Sequence, residues 1–343
     1  MQAKKYLFPR TIGIVFNLKK KIRVDDSCEE YDEIETIEAL AHEIKKLGFR
    51  PLLIEQGHNI SRDLLRVRPD FVFNVAEGIG TGRWRESQVP SVLESLGIPY
   101  SGSDPLSLGI TLDKYLTSFI LKASGVAVPL AFTVKDGNEV LSLRNIFAKK
   151  KIYIVKPRWE GSSKGIFSHS VVSSFYEPQN QVQHIFSKYK QPALVEEFLR
   201  GDEITVAVYG NHKPRILGMM RIVPREKTNL FLYSQENKRE WETRITYEPQ
   251  SCIAGSLQDA ITRTAIGAFT ILELRDIARI DFRLNHQNIP YIIDVNPLPG
   301  LSPSYSDLPI ICKLQGKSYS YLIRIILREA LKRYGFMLSQ HSP

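Results

Sequence analysis

The chain has little of what marks secreted, membrane-spanning or zinc-binding proteins. Its 343 residues include three cysteines, Cys28, Cys252 and Cys312, whose odd number and wide spacing argue against a disulfide framework and a zinc site of paired thiolates. No stretch approaches the roughly 18 apolar residues of a membrane span. The basic N-terminus leads into a short strand pattern rather than the apolar core of a signal peptide. We therefore expect a cytoplasmic protein without a membrane partner.

Nucleic-acid-binding patterns are also missing, although the formal net charge is +9. The lysines and arginines are spread along the chain, and the short clusters at 19–21 and 149–151 have no interleaved aromatic residues. We expect no nucleic-acid partner, because nucleotide phosphates would account for the same excess of positive charge.

The common nucleotide-binding fingerprints do not occur. The sequence has no Gly-x-x-x-x-Gly-Lys-Ser/Thr, so a P-loop is unsupported. The run Gly78-Ile-Gly-Thr-Gly82 follows a strand pattern, but Arg83 stands where a dinucleotide fingerprint has its third glycine. A nucleotide would have to be held by another kind of site.

The patterns that are present predict an α/β protein of three domains, since the chain is too long for one hydrophobic core. Residues 1–103 alternate strand and helix patterns and predict a small parallel α/β domain. Its predicted strands are 12–16, 52–54 and 70–75, and its predicted helices are 34–47 and 89–96. Residues 104–192 predict a second domain, with helices at 112–123, 139–148 and 181–189 and strands at 131–134 and 152–155.

Residues 193–343 predict a third domain built on an antiparallel sheet. We place its first strand at 193–196, its other strands at 203–209, 216–223, 278–284 and 289–295, and a crossing helix at 257–274. The polar stretch between Arg225 and Tyr247 shows no clear periodicity and is too long for a simple connection. It is typical of a mobile loop over an active site.

An acidic hairpin in the third domain is the first candidate for chemistry. The tetrapeptide Asn285-His-Gln-Asn288 separates two strand patterns, and a four-residue connection would set Arg279 opposite Asp294 and Asp281 opposite Ile292. Since side chains alternate along a strand, Arg279, Asp281, Asp294 and Asn296 would share one face. Carboxylate and amide oxygens suit Mg²⁺ bound to nucleotide phosphates. The alternative is a solvated hairpin whose two aspartates are neutralised by Arg279.

Phosphate and adenine sites have weaker candidates. Lys156 ends an apolar strand before the small-residue loop Gly161–Gly165, where a lysine and backbone N–H groups could hold phosphate. The extended stretch 193–199 could read an adenine edge, with acidic residues beyond it for a ribose. A solvated lysine and an edge strand with solvated glutamates are the simpler alternatives.

Taken in order, these segments resemble the D-alanine:D-alanine ligase family of ATP-grasp enzymes, from about Asp70 onward. The matching segments are Leu96-Gly-Ile-Pro-Tyr-Ser-Gly102, Leu112-Asp-Lys114, Val155-Lys-Pro157, Glu160-Gly-Ser-Ser163, Val195-Glu-Glu197, Ala278-Arg-Ile-Asp281 and Asp294-Val-Asn-Pro297. The resemblance implies a three-domain ATP-grasp fold, a homodimer, and ATP bound between the second and third domains.

The resemblance also implies roles for individual residues. The expected ATP-binding residues are Lys114, Lys156, Glu196, Glu197, Phe198, Leu199, Glu203 and Asn296. Two Mg²⁺ ions, or Mn²⁺ in their place, would be held by Asp281, Asp294 and Asn296. The expected catalytic residues are Arg279, Ser162 and Ser163, and Lys238 in the mobile loop. By this analogy a carboxylate is activated as an acyl phosphate and an amine attacks it, with backbone N–H groups near Gly300 stabilising the oxyanion.

Departures from the family pattern leave the substrates open. The family's N-terminal substrate-gripping glutamate is not evident, and Glu29, Glu30 and Glu33 are its possible replacements. Where the family has a Lys-Tyr pair, this chain has Lys238-Arg239. The charged loop with Glu77, Arg83, Arg85 and Glu86 could contact a substrate or pair within itself. The alternatives to a ligase are a catalytically silent ATP-binding protein and a carboxylate kinase of the same fold.

Overall fold

The first part of the fold is a parallel three-stranded sheet. The computed structural model describes residues 9–19, 26–135, 139–140, 152–173, 177–226 and 230–336. The strands are β1 (Thr11–Phe16), β2 (Arg50–Glu55) and β3 (Phe71–Asn74), in the order β2-β1-β3. The central strand β1 is an apolar run that is buried after its first residue, as a parallel strand covered on both faces should be. These strands confirm the predicted parallel unit.

Three helices accompany this sheet: α1 (Ile34–Lys46), α2 (Ile60–Val67) and α3 (Gln88–Leu96). Helix α1 buries Ile37, Leu40 and Ile44 along one stripe, which is the 3.6-residue periodicity that predicted it. It is followed by Gly48 at φ 88°, a left-handed conformation that favours glycine after a helix.

The predicted helix 112–123 is wrong at its start, because Asp113 separates two helices. They are α4 (Pro105–Leu112) and α5 (Lys114–Ala123). Asp113 is extended and its side chain accepts a hydrogen bond from Leu116 N, so it caps α5. It is also fixed by Arg158, whose Nε and Nη2 donate to it at 2.7 and 2.8 Å. This cap places Lys114 at the first position of a helix.

A four-stranded antiparallel sheet follows. It consists of β4 (Ala131–Val134), β5 (Tyr153–Pro157), β6 (Val171–Val172) and β7 (Ala193–Glu197) in the order β4-β7-β5-β6. Helix α6 (Glu177–Tyr189) packs on it. The strand from Ala193, which we expected to open the third domain, pairs with β4 and β5. Most of the predicted helix 139–148 lies outside the described residues.

A five-stranded antiparallel sheet carries the acidic hairpin. Its strands are β8 (Glu203–Gly210), β9 (Arg215–Pro224), β10 (Ile245–Pro249), β11 (Asp276–Leu284) and β12 (Pro290–Asn296), in the order β10-β9-β8-β11-β12. Strand β10 was not predicted. The predicted polar stretch contains two short helices, α7 (Gln235–Arg239) and α8 (Trp241–Arg244).

The remaining helices join the five-stranded sheet to the first part of the chain. Helix α9 (Gly255–Ile271) covers one face, while α10 (Asp307–Leu314) and α11 (Tyr319–Arg333) lie on the other. Ile37 of α1 and Leu322 of α11 belong to one buried cluster. The first and last parts of the chain therefore share a core, whereas the four-stranded sheet has its own. Among the described residues, no helix combines the length and apolar character needed to cross a bilayer.

Asp276 links the first and last parts of the chain through hydrogen bonds, and we expect its charge to be needed for stability. It is fully buried and accepts hydrogen bonds from Gly102 N and from Arg333 Nη2, both at 2.8 Å. The substitution Asp276→Asn keeps a residue that tolerates its φ of 64°. It leaves Arg333 without its charged partner, which should lower the free energy of unfolding by about 3 kcal/mol.

Urea unfolding monitored by fluorescence measures this effect. Asp202→Asn is the matched control, because Asp202 is half exposed in its 3.0 Å pair with Arg221 and should cost less than about 1 kcal/mol. Equal losses for the two variants would contradict the assignment.

Candidate functional site

The acidic hairpin forms, but with a different register from the one predicted. Arg279 lies opposite Asn296 and Asp281 opposite Asp294, and a shift after Asp281 places Phe282 opposite Ile292. The predicted pairs, Arg279 with Asp294 and Asp281 with Ile292, are therefore wrong.

Two one-residue insertions explain the difference. The connection between β11 and β12 is five residues long, since Leu284 pairs with Pro290, and the bulge at Ile293 adds one more. Asn285 Oδ1 accepts hydrogen bonds from the backbone N–H groups of Gln287 and Ile289, which stabilises the longer turn. Because the two shifts sum to an even number, Arg279, Asp281, Asp294 and Asn296 still share a face.

Each aspartate of the hairpin is neutralised by a different cation. Lys114 Nζ lies 2.6 Å from Asp294 Oδ1, and Arg279 Nη2 lies 2.8 Å from Asp281 Oδ2. Burial would raise the pKa of Asp294, but Lys114 more than offsets this and holds the pKa below its usual value. Arg279 also pairs with Asp307 at 3.2 Å. The alternative of a solvated hairpin neutralised by Arg279 alone does not describe this arrangement.

The donor set fits a hard divalent cation. Asp281 and Asp294 face each other on adjacent strands, and Asn296 Oδ1 is held in place by Leu298 N at 2.8 Å. Carboxylate and carboxamide oxygens are the protein ligands that Mg²⁺ prefers. Asp281, Asp294 and Asn296 are therefore the candidate ligands; no cluster of three or more His, Cys, Asp or Glu side chains suited to a metal ion occurs in the described part of the chain.

A pocket between the four- and five-stranded sheets, here called the inter-sheet pocket, collects most of the predicted residues. The predicted residues that line it are Lys114, Lys156, Ser162, Ser163, Glu196, Glu197, Phe198, Leu199, Glu203, Lys238, Arg279, Asp281 and Asp294. Lys156 and Glu196 form a buried ion pair at 2.9 Å. Glu203 pairs with Arg283 at 3.1 Å, and burial nevertheless raises the pKa of Glu203.

The small-residue loop is tied to the segment that covers the pocket. Ser162 and Ser163 have φ values of 48° and 57°, in the left-handed region that costs non-glycine residues energy. Ser163 Oγ donates to Tyr233 O at 3.1 Å, and Lys238 Nζ lies 4.6 Å from the centre of the Tyr233 ring. Loop and cover therefore meet at Tyr233.

A larger cavity of about 370 Å³, here called the acidic cavity, adjoins the inter-sheet pocket. The two share Ser162, Tyr233, Lys238 and Arg279. Asn296, Gly300 and Glu77 line the acidic cavity. A small pocket of about 30 Å³, here called the arm, shares Glu77 and Asn296 with the acidic cavity and is also lined by Glu86. Arg83 lines neither the cavity nor the arm: it is half exposed and lies 3.7 Å from Asp113.

Arg85, rather than Arg83, is the arginine that organises this region. Its buried guanidinium donates to both oxygens of Glu30 at 2.7 and 2.9 Å, to Glu160 at 3.3 Å and to Trp159 O at 2.8 Å. Glu30, one of the three possible replacements for the family glutamate, also accepts a hydrogen bond from Gly161 N. The charged loop thus partly pairs with other segments and positions the small-residue loop.

Sequence reasoning missed Asp307, Tyr233 and Arg283. Asp307 accepts a hydrogen bond from the hydroxyl of Tyr233 at 3.1 Å as well as its ion pair with Arg279. The guanidinium carbon of Arg283 lies 4.3 Å from the centre of the Phe198 ring. The sequence did offer a signal for Arg283. It follows Asp281 by two residues on β11, and because side chains alternate along a strand, the two side chains lie on the same face.

Comparison with known proteins supplies the family. The family model described as D-ala D-ala ligase C-terminus matches residues 120–328, more than half of the chain. The chain belongs to the D-alanine–D-alanine ligase family. It is an ATP-grasp ligase of the class that forms carbon–nitrogen bonds, and the family uses ATP and a divalent metal ion.

Relatives of this family span most of the chain. The D-alanine–D-alanine ligase of Carboxydothermus hydrogenoformans is 30% identical over 311 residues, covering 89% of this chain and 96% of that protein. An uncharacterised protein of Sinorhizobium fredii is 33% identical over 305 residues, covering 85% and 86%.

Solved structures of family members share the fold. The D-alanine–D-alanine ligase of Bacillus anthracis in complex with ATP has a TM-score of 0.71 at 22% identity, covering 94% of this chain and 98% of that one. A D-Ala:D-Ser ligase of Enterococcus faecalis gives 0.71 at 20% identity, covering 94% and 99%. At these identities the likeness supports the fold and no particular substrate.

The contrast between Arg85 and Arg83 gives a test of the organisation of this ligase. We expect Arg85→Met to lower the free energy of unfolding by about 3 kcal/mol, because Glu30 and Glu160 remain buried without it. Arg83→Met, at a half-exposed position, should cost less than about 1 kcal/mol. Urea unfolding of the two variants decides it, and similar midpoints would contradict the role given to Arg85.

Proposed function

We propose that this ligase uses ATP to activate a substrate carboxylate as an acyl phosphate, which a substrate amine then attacks to form an amide. The observation that carries the proposal is the position of Asp281 and Asp294. Both line the inter-sheet pocket beside Arg279, and Arg279 also lines the acidic cavity, so a nucleotide in the pocket would meet substrates in the cavity at this point.

In this proposal ATP lies in the inter-sheet pocket. Lys114 and Lys156 contact its phosphates, the backbone of residues 196–199 contacts the adenine edge, and Glu203 accepts hydrogen bonds from the ribose hydroxyls. The ion pair between Lys156 and Glu196 orients the lysine before the nucleotide binds. The guanidinium group of Arg283 lies over the Phe198 ring and supports the side of the pocket that the adenine would contact.

Asp281, Asp294 and Asn296 would hold the metal, as two Mg²⁺ ions or Mn²⁺ in their place. Mg²⁺ bound there would neutralise charge on the phosphates of ATP and on the transferring phosphoryl group. Lys114 contributes to the same neutralisation from the first position of α5, where the Asp113 cap fixes it.

The reacting carboxylate would lie where the two cavities meet, beside Arg279. Arg279 and the backbone N–H groups near Gly300 stabilise the oxygen charge of the tetrahedral intermediate. Ser162, Ser163 and the segment that carries Lys238 exclude water from the acyl phosphate. The contact between Ser163 and Tyr233 keeps the two covering segments together.

The substrate pair is the finer part of the proposal. D-alanine with D-alanine, and D-alanine with D-serine, are the pairs named for the relatives. A homodimer is the assembly that the family resemblance implies. Ligase activity is tested by coupled ADP release over a panel of amino acids and amines, with mass spectrometry of the products. ADP release that yields a stable phosphorylated product without an amide would favour the carboxylate kinase, and no ADP release over the whole panel would refute the ligase.

Asp294→Ala tests the proposed metal position. Removal of one of two opposed carboxylates should reduce kcat at least a thousandfold, since several kcal/mol of charge stabilisation are lost. The charge-matched control Asp259→Ala changes an exposed residue of α9 and should keep full activity. A melting temperature within a few degrees of wild type establishes that Asp294→Ala is folded. Undiminished turnover in a folded variant would refute the site.

Glu203→Gln tests the ribose contact with an internal control. Wild-type protein should bind ATP about tenfold more tightly than 2′,3′-dideoxy-ATP, because a charged acceptor holds the hydroxyls. The variant should bind the two nucleotides within about threefold of each other. Calorimetric titration measures both. A variant that keeps the full preference for ATP would exclude Glu203 from the ribose site.

A further inference from the structure

The acidic cavity is lined by many more acidic than basic side chains. The side chains that line it include six carboxylates and two cations: Glu29, Glu30, Asp32, Glu33, Glu77 and Asp307 against Lys238 and Arg279. Tyr31, Tyr233, Trp241 and Tyr305 supply aromatic surface. The cavity therefore has room and apolar walls for a chain longer than a methyl group, and acidic side chains for a positively charged group.

Three of the six carboxylates have no cation. Glu30 is bound by Arg85, Asp307 by Arg279 and Glu29 by Lys19. Within the residues that the structure describes, Asp32, Glu33 and Glu77 form no ion pair, and no hydrogen bond to their carboxylates is found. Burial and the neighbouring Glu33 raise the pKa of Asp32 to about 7. Burial and the nearby carboxylates Glu86 and Glu30 raise the pKa of Glu77 well above its usual value.

Glu86 is an independent sign of a missing cation. It is 8% exposed, and in the described part of the chain no donor reaches its carboxylate. It lines the arm together with Glu30 and Glu77. The cations near the arm already have partners. Arg85, whose charge acts on both Glu77 and Glu86, is bound to Glu30, Lys114 pairs with Asp294, and Lys164 lies 2.7 Å from Glu160. A carboxylate as little exposed as that of Glu86 is costly to ionise, and a cation bound in the arm would offset that cost.

The cations of the cavity are poorly placed for a second substrate carboxylate. Arg279 remains paired with Asp307, which is not among the proposed metal ligands. Lys238 lies over the Tyr233 ring at the junction with the inter-sheet pocket, where phosphate is expected. Asp32, Glu33 and Glu77, which also line the cavity, would favour an ammonium group over a carboxylate.

We propose that one of the two co-substrates carries an additional ammonium or guanidinium group that takes no part in bond formation, and that Asp32, Glu33 and Glu77, with Glu86 behind them, bind it. The inference rests on the proposed ligase function for its reaction, but not for its binding step. Two kinds of substrate share this chemistry: a diamine acceptor and a basic amino acid that donates its carboxylate.

The reaction balances with either substrate. The carboxylate takes the γ-phosphoryl group and ADP leaves. The lone pair of the reacting amine forms the C–N bond, the C–O bond to phosphate breaks with its electron pair on phosphate, and one amine proton passes to water. The additional nitrogen stays protonated throughout, because carboxylates surround it.

Calorimetric titration of the full chain with ADP and Mg²⁺ present tests the binding step without turnover. The diamine arm compares 1,4-diaminobutane with pentylamine, in which a methyl group replaces the second ammonium. The amino-acid arm compares lysine with 2-aminoheptanoate, in which a methyl group replaces the side-chain ammonium, each as both enantiomers. In one arm we expect the compound with the additional ammonium group to bind at least tenfold more tightly than its methyl counterpart, and that arm identifies the kind of substrate.

The double variant Asp32→Asn, Glu77→Gln should reduce this preference to less than threefold. Glu38→Gln, at an exposed position of α1, is the control for a lost negative charge and should keep the binding preference. Equal binding within both pairs, or an unchanged preference in the double variant, would overturn the inference.

ADP release separates this inference from the proposed function, with each of the four compounds offered together with the panel of amino acids and amines that supplies the other substrate. Faster turnover with the dicationic compound than with its methyl counterpart supports both. Binding preference without ADP release over the wider panel supports the cation site and counts against the ligase. Amide formation with no preference within either pair supports the ligase and overturns the cation site.

Discussion

Two carboxylates that face each other across adjacent strands repel, and much of the site is arranged around that repulsion. Asp281 and Asp294 are each matched with a cation from a different direction, Arg279 on the same strand and Lys114 from a helix start. Since Lys114 is placed by the Asp113 cap, and Asp113 is fixed by Arg158, the candidate metal site depends on a chain of charge pairs. Neither aspartate of the hairpin is left without a cation.

Most of the strands, several helices and the shared face of the hairpin could be predicted from the sequence because they depend on local periodicity, whereas β10, α10 and α11 were not predicted. Alternation along a strand fixes which side chains share a face. The predicted face was therefore right although the predicted register was wrong by two residues. The register itself could not be predicted, because the bulge at Ile293 has no signature such as a glycine. Helix α4 was missed for a different reason, because its apolar residues do not form one stripe with a 3.6-residue period. The predicted start of the next helix at Leu112 was too early, and only the cap at Asp113 marks the true start.

Contacts between distant segments account for what was missed in the site. In the sequence, Arg85 is one of several charged residues in a loop. Its role depends on Glu30 and Glu160, which lie 55 and 75 positions away in sequence. Asp307 follows a proline- and serine-rich turn and meets Arg279 only because α10 packs against the five-stranded sheet. Neither position shows a periodicity, so no pattern within the sequence could assign their partners.

The separate core of the four-stranded sheet has a consequence for how that sheet is held in place. The buried cluster beneath it contains residues of the central segment alone, whereas the first and last parts of the chain share one apolar interior. The position of the sheet that carries Lys156 and Glu196 therefore depends largely on polar contacts, such as those of Arg85 with Glu160 and of Ser163 with Tyr233. A substitution that removes such a contact would loosen this sheet and leave the shared apolar interior intact.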